Sequence, residues 1–220
     1  MSHLHVVDGV LPWWIVLGTL AVSAVLVMAL LAGRRDAVQV RFLARVGVTG
    51  AALIVVMSLP LGPGVHLSLA PLAGMMLGPA GGFLAAFLAN ASLSTFGHGG
   101  LTAMGLNGLF LGAQAVLGAG LFAGLRRVLG VKWGAVSATF LTLGLAATAA
   151  ILALRALPLE DGDHELEKSF GVWVVAVLAA VAAVVEAWIT SAVIVFLARV
   201  RSDLVHGGGA PRPRTSGEPA

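Results

Sequence analysis

PWWIVLGTLAVSAVLVMALLAG, residues 12–33, carries no charged side chain and no polar one beyond Thr19 and Ser23. As an α-helix, 22 residues rise about 33 Å, which matches a bilayer hydrocarbon core of about 30 Å. The stretch therefore predicts a transmembrane helix. It does not read as a cleaved signal peptide, because the segment before it is polar and His-containing and has no basic n-region. The N-terminus is expected to stay on the mature protein.

Working outward, comparable apolar runs occupy 43–60, 65–79, 81–97, 102–125, 133–156 and 170–199. They are continuous and rich in Ala, Leu and Val, without the alternation of a membrane β-barrel, so the backbone must satisfy itself within helices. Composition agrees: 59% of the residues are hydrophobic and 10% charged, and mean hydropathy is +0.99, far from an ordinary soluble domain. The expected fold class is an all-α integral membrane protein, with about seven transmembrane helices in one bundle over residues 1–204. The third run holds Pro71, Gly78 and Pro79, which predicts a tilted or broken helix shielded by its neighbours. Residues 205–220 are rich in Gly and Pro and polar, and read as a disordered cytoplasmic tail.

Charge orients the bundle, since basic residues are retained in cytoplasmic loops. With seven crossings, Arg34, Arg35, Arg41, Arg45, Arg126, Arg127, Lys132, Arg199, Arg201, Arg212 and Arg214 fall on one side, and only Arg155 and Lys168 fall opposite. This predicts a cytoplasmic C-terminus and an outward N-terminus in the cell membrane. The pI near 10.6 reflects these flanks. No basic patch interleaved with aromatics is present, so nucleic acid is not an expected partner.

The same topology puts His3, His5, His66, His98 and His164 outside and leaves only His206 within. The chain has no Cys, so a soft-metal site must use imidazole, Met or backbone groups. Neutral imidazole suits Ni(II), Co(II), Cu(II) and Zn(II). In Met1-Ser2-His3-Leu4-His5 an α-amine, amide nitrogens and an imidazole can chelate one metal in a planar nitrogen set, a geometry that favours Ni(II) or Cu(II). His66 follows a turn-forming Pro60-Leu-Gly-Pro-Gly-Val at what reads as an outer helix mouth, and can add a further nitrogen. The same three histidines also fit a mobile terminus and an interfacial side chain snorkelling toward headgroups.

Four blocks in order carry a family resemblance: Leu4-His-Val-Val-Asp-Gly-Val-Leu-Pro12; His66-Leu-Ser-Leu with Leu77-Gly-Pro; Phe96-Gly-His-Gly-Gly-Leu-Thr-Ala-Met-Gly-Leu-Asn107; and Glu186-Ala-Trp-Ile-Thr-Ser-Ala-Val with Ala198-Arg-Val-Arg-Ser-Asp-Leu. Together they resemble the cobalt/nickel substrate-specific membrane components of energy-coupling factor transporters. The resemblance implies a metal held by the α-amine, the amide and imidazole of a nearby His, and a loop His. His5 matches the signature His and His66 the loop His. Here Met1-Ser2-His3 precedes the matched block, whereas the family's signature His usually follows Met directly. Removal of Met1 before the small Ser2 would recreate that arrangement with His3, and an intact terminus would offer Met1, Ser2 and His3 as a four-nitrogen chelate. His3 and His5 therefore stand as equal candidates.

Further residues have supporting readings. His98 sits between glycines and either lines the site or caps the next helix. Asn90 and Asn107 read as packing and as donors that orient imidazoles. Asp8 reads as fixing the N-terminal loop. Glu186, a carboxylate inside an apolar run, must face the interior and be paired or protonated, in a packing or relay role. The acidic connection around 159–167 reads as a solvated loop that also attracts cations.

The resemblance implies the capture subunit of an ATP-driven uptake system for Co(II) or Ni(II). The chain carries no Gly-x-x-x-x-Gly-Lys-Ser/Thr loop and no nucleophile elbow, so hydrolysis must lie with partners and an enzyme is not expected. The implied partners are a membrane scaffold protein, a pair of cytoplasmic ATPases and a small accessory membrane protein, together with the lipid bilayer that surrounds the bundle. A hydrolase built on Ser92 or Ser94 with His98 lacks a third group behind the imidazole. A self-sufficient metal channel or permease, or a structural membrane protein, are the rival readings.

Overall fold

The computed structural model describes residues 9, 11–32, 37–59, 66–97, 100–156 and 165–205. Among them are five α-helices, α1 (Trp13–Ala32), α2 (Ala37–Met57), α3 (Ala70–Thr95), α4 (Met104–Ala156) and α5 (Glu165–Val200), then a 3₁₀ turn at Ser202–Leu204, and no strand. All five are long and apolar enough to cross a membrane. The chain is thus an all-helical, multi-pass membrane protein.

Two of the five are not straight. At 53 residues, α4 would extend about 80 Å as one rod, more than twice a bilayer. It breaks at Gly130, where φ is 75° and ψ 175°, a left-handed backbone that only glycine adopts at little cost. The chain doubles back there, so that a Cβ on Gly134 would lie 2.7 Å from Arg126 Cα. In α3 the same conformation recurs at Gly78 (φ 77°, ψ 177°) beside Pro79. Residues 70–77 and 79–95 fold against each other, with a hypothetical Gly82 Cβ 2.5 Å from Gly74 Cα. The sequence placed Arg126, Arg127 and Lys132 in a connecting loop. Instead they lie on helix ends that meet at Gly130.

The core lies between α3 and α4. Gly108 meets the Phe87 ring, Gly112 the Phe83 ring, Gly74 the Ala115 carbonyl, and Gly118 the backbone of Pro71. In lipid, helix association rests on such close backbone contact rather than on hydrophobicity. Leu111, Phe122, Met75 and Leu84 fill the space between. Helix α1 is the outlier: Ser23 is its one buried residue, and its hydroxyl donates to Thr19 O at 2.7 Å and to Gly105 O at 3.3 Å. Val27, Leu30 and Leu31 pack against the core, while much of the rest of α1 is apolar and exposed, as a lipid-facing helix surface should be, with Trp13 and Trp14 exposed at its start where interfacial anchors belong.

At the Gly130 end, Lys132 Nζ lies 5.2 and 5.5 Å from the ring centroids of Trp133 and Trp188, and the two indoles meet edge to face. Nearby in sequence to the end of α5, Asp203 accepts from Arg201 Nε at 2.9 Å and pairs with Arg45 of α2 at 3.4 Å. The Arg201 guanidinium holds the Asp203 carboxyl below its usual range. Val205, the last described residue, is buried in the core.

Candidate metal-capture site

The segment that leads into α3 builds the most polar point of the interior. Ser68 is fully buried; its backbone N–H donates to Glu186 Oε2 at 3.0 Å and its hydroxyl to Glu186 Oε1 at 2.9 Å. The Ser68 hydroxyl oxygen also accepts from Ala70 N–H at 3.3 Å. Between them Leu69 holds φ 47° and ψ 19°, left-handed and strained for a residue with a side chain. Glu186 is fully buried and is the one charged side chain among the buried described residues. Two donors from a single residue meet the demand that an intramembrane carboxylate be paired.

The clamp lies well along both α5 and α4. Glu186 lies 14 residues before the end of α5, about 21 Å along its axis. Pro71 packs on Gly118, and Gly118 lies 14 residues into α4, again about 21 Å from its start. Chain geometry limits His66, two residues before Ser68, to about 7 Å from it. His66 is half-buried. The chain after His66 runs into the bundle, where Ser68 donates to Glu186 through both its amide and its hydroxyl.

Elsewhere in the interior, Asn90 Nδ2 donates to Met104 O at 3.0 Å, which ties the end of α3 to the start of α4. Asn107 is buried one turn further on. These contacts fit the packing role expected of both. Gln114, Thr139, Thr142 and Thr190 are also buried and were not singled out from sequence; the i, i+3 spacing of Thr139 and Thr142 and the i, i+4 spacing of Glu186 and Thr190 was the available signal. Ser68 was missed as well, although it stands inside the quoted His66-Leu-Ser-Leu block. Met1, Ser2, His3, His5, Asp8 and His98 lie outside the described residues. Among the described residues no three His, Cys, Asp or Glu side chains converge as a metal site, so Glu186 and His66 alone do not make one.

A family model described as cobalt uptake substrate-specific transmembrane region matches residues 5–204. The chain belongs to this family. As a member of the cobalt uptake family, it is a transport component rather than an enzyme. The match takes in His5, His66, Ser68, Asn90, His98, Asn107 and Glu186, and begins after Met1–Leu4. Comparisons with curated proteins and with solved structures give no match.

Proposed function

We propose that this protein is the substrate-capture component of an ATP-driven cobalt or nickel uptake transporter of the plasma membrane. Co(II) or Ni(II) is the transported substrate. Its ligands are the α-amine at Met1 or a processed Ser2, the backbone and imidazole of His3 or His5, and the imidazole of His66. A membrane scaffold protein and cytoplasmic ATPases supply the energy. The observation that carries this reading is the family match over residues 5–204, supported by the buried Ser68–Glu186 clamp that begins two residues after His66.

The proposed topology has seven helical segments, an outward N-terminus and a cytoplasmic C-terminus. Two backbone breaks and two helix contacts support it. The breaks at Gly78 and Gly130 divide five helices into seven segments. Phe42 meets Gly81 and Gly50 meets Ala85, so α2 and residues 79–95 run in the same direction. Residues 70–77, packed against 79–95 through Gly74 and Gly82, are then the returning segment. The chain would carry the N-terminal chelate inward from outside and meet His66 at depth.

Equilibrium binding of Co(II) and Ni(II) to the purified full chain tests the reading. One ion per chain is expected, lost in His66→Ala and lost again when residues are added ahead of Met1, with a C-terminal extension silent. Native affinity in the N-terminally extended protein would remove the amine from the site; native affinity in His66→Ala would remove the imidazole.

A further inference from the structure

We infer that Glu186 is a positioning residue for metal capture: through both donors of Ser68 it fixes the backbone that presents His66. This rests on the proposed reading of His66 as a metal ligand, and it assigns Glu186 neither ligation nor a proton relay.

The geometry carries the positioning role. Each oxygen of the carboxylate already accepts from Ser68, one from the amide and one from the hydroxyl. Two bonds from one residue fix orientation as well as distance, and the amide bond holds the peptide plane between Leu67 and Ser68. His66 is one peptide further, so its backbone inherits the constraint. Ser68 passes it on the other way too, by accepting from Ala70 N–H at the first residue of α3. The left-handed Leu69 between them is independent support: a non-glycine residue stays in that region only where its surroundings over-determine it. Leu67 and Leu69 are buried on either side, so the segment is gripped by packing as well as by the clamp.

The inference also explains a cost. A carboxylate at this depth is expensive to bury, and Ser68 belongs to a stretch between helices whose backbone would otherwise have no regular partner. Metal ligands are commonly oriented by groups that do not touch the ion, and loss of such a group typically weakens metal binding on the order of 10- to 100-fold.

The test uses the full chain in detergent, with Co(II) and Ni(II) as probes, and reads affinity, stoichiometry and the ligand-field absorption of the bound ion. Glu186→Ala and Ser68→Ala should each weaken binding, the former on the order of 10- to 100-fold, with one ion still bound and its absorption shifted. The double variant should bind no more weakly than Glu186→Ala, because the two residues act as one unit. Glu186→Gln is the decisive arm. Its carbonyl can accept from Ser68 N–H and its amide can donate to the hydroxyl oxygen, so the position survives without the charge, and affinity should return to within a few-fold of native. Gln binding as weakly as Ala would overturn positioning in favour of charge. Should Glu186→Ala fail to fold, Ser68→Ala decides, since it keeps the backbone donor; native affinity and spectrum there would overturn the inference. His66→Ala run alongside separates the two readings, because native binding in that variant sinks the metal site itself.

Discussion

Gly118→Ala presses directly on the start of α3, next to the segment that carries Ser68. A Cβ at this position would stand 2.7 Å from Pro71 Cα, 2.9 Å from its Cβ and 3.1 Å from its carbonyl oxygen, whereas carbon atoms settle at about 3.5–4.0 Å. Backbone, not a flexible side-chain end, is in the way, so the start of α3 must retreat by about 1 Å. Ser68, three residues earlier, holds Glu186 at 2.9 and 3.0 Å, and a donor beyond about 3.5 Å no longer makes a useful bond. A retreat of that size is enough to break the clamp. Overpacking costs about 1–3 kcal/mol, against a gain of up to about 1 kcal/mol from replacing glycine in a helix. The net expectation is a loss on the order of 1 kcal/mol, with weakened Co(II) binding. Gly120→Ala and Gly124→Ala are the controls, because on the same helix a Cβ at either meets nothing within 4 Å; both should be neutral or slightly stabilising. Thermal unfolding in detergent and Co(II) titration read the two effects. If Gly118→Ala melts and binds like Gly120→Ala, the close approach of α3 and α4 is not what holds the site.

The native chain has no Cys, so single cysteines report topology directly: in intact cells an impermeant thiol reagent should label Leu4→Cys and spare Gly209→Cys, and the reverse pattern would invert the bundle. At the end of α5, Asp203 is held below the usual carboxylate range chiefly by the Arg201 hydrogen bond. A lowered folded pKa contributes stability above the unfolded carboxylate pKa and loses it as pH falls through the lowered value. Asp203→Asn should therefore melt slightly below native at neutral pH, with the gap closing in acid and in high salt because the pair is exposed. A gap that does not change with pH would show that the contact between Asp203 and Arg45 contributes through packing instead.

How much of this could be read from sequence depends on which forces are local. The run at 12–33 became α1 at Trp13–Ala32, since continuous apolar length is all that a lipid-facing helix needs. The break foreseen around Pro71, Gly78 and Pro79 falls at Gly78, because a proline preceded by a glycine can be read residue by residue. Gly130 was harder. Nothing in Arg126–Trp133 distinguishes a surface loop from a one-residue reversal, and the difference rests on Gly134 being small enough to lie beside Arg126. Hardest of all was the Ser68–Glu186 bond, which joins positions 118 apart in the chain. No periodicity encodes such a pair. Yet the cost of burying a charge did predict that Glu186 needs a partner, and it narrowed the choice to polar residues reaching the interior. Ser68 was one of few candidates in the quoted blocks, passed over because its neighbour His66 drew the reading toward the surface. The energetic argument about Glu186 agrees with its burial and its bonds to Ser68, whereas a turn-forming approach says where a chain slackens but not how far it then descends. Depth is set by what the descending segment meets, and here that includes a buried carboxylate to which Ser68 donates twice.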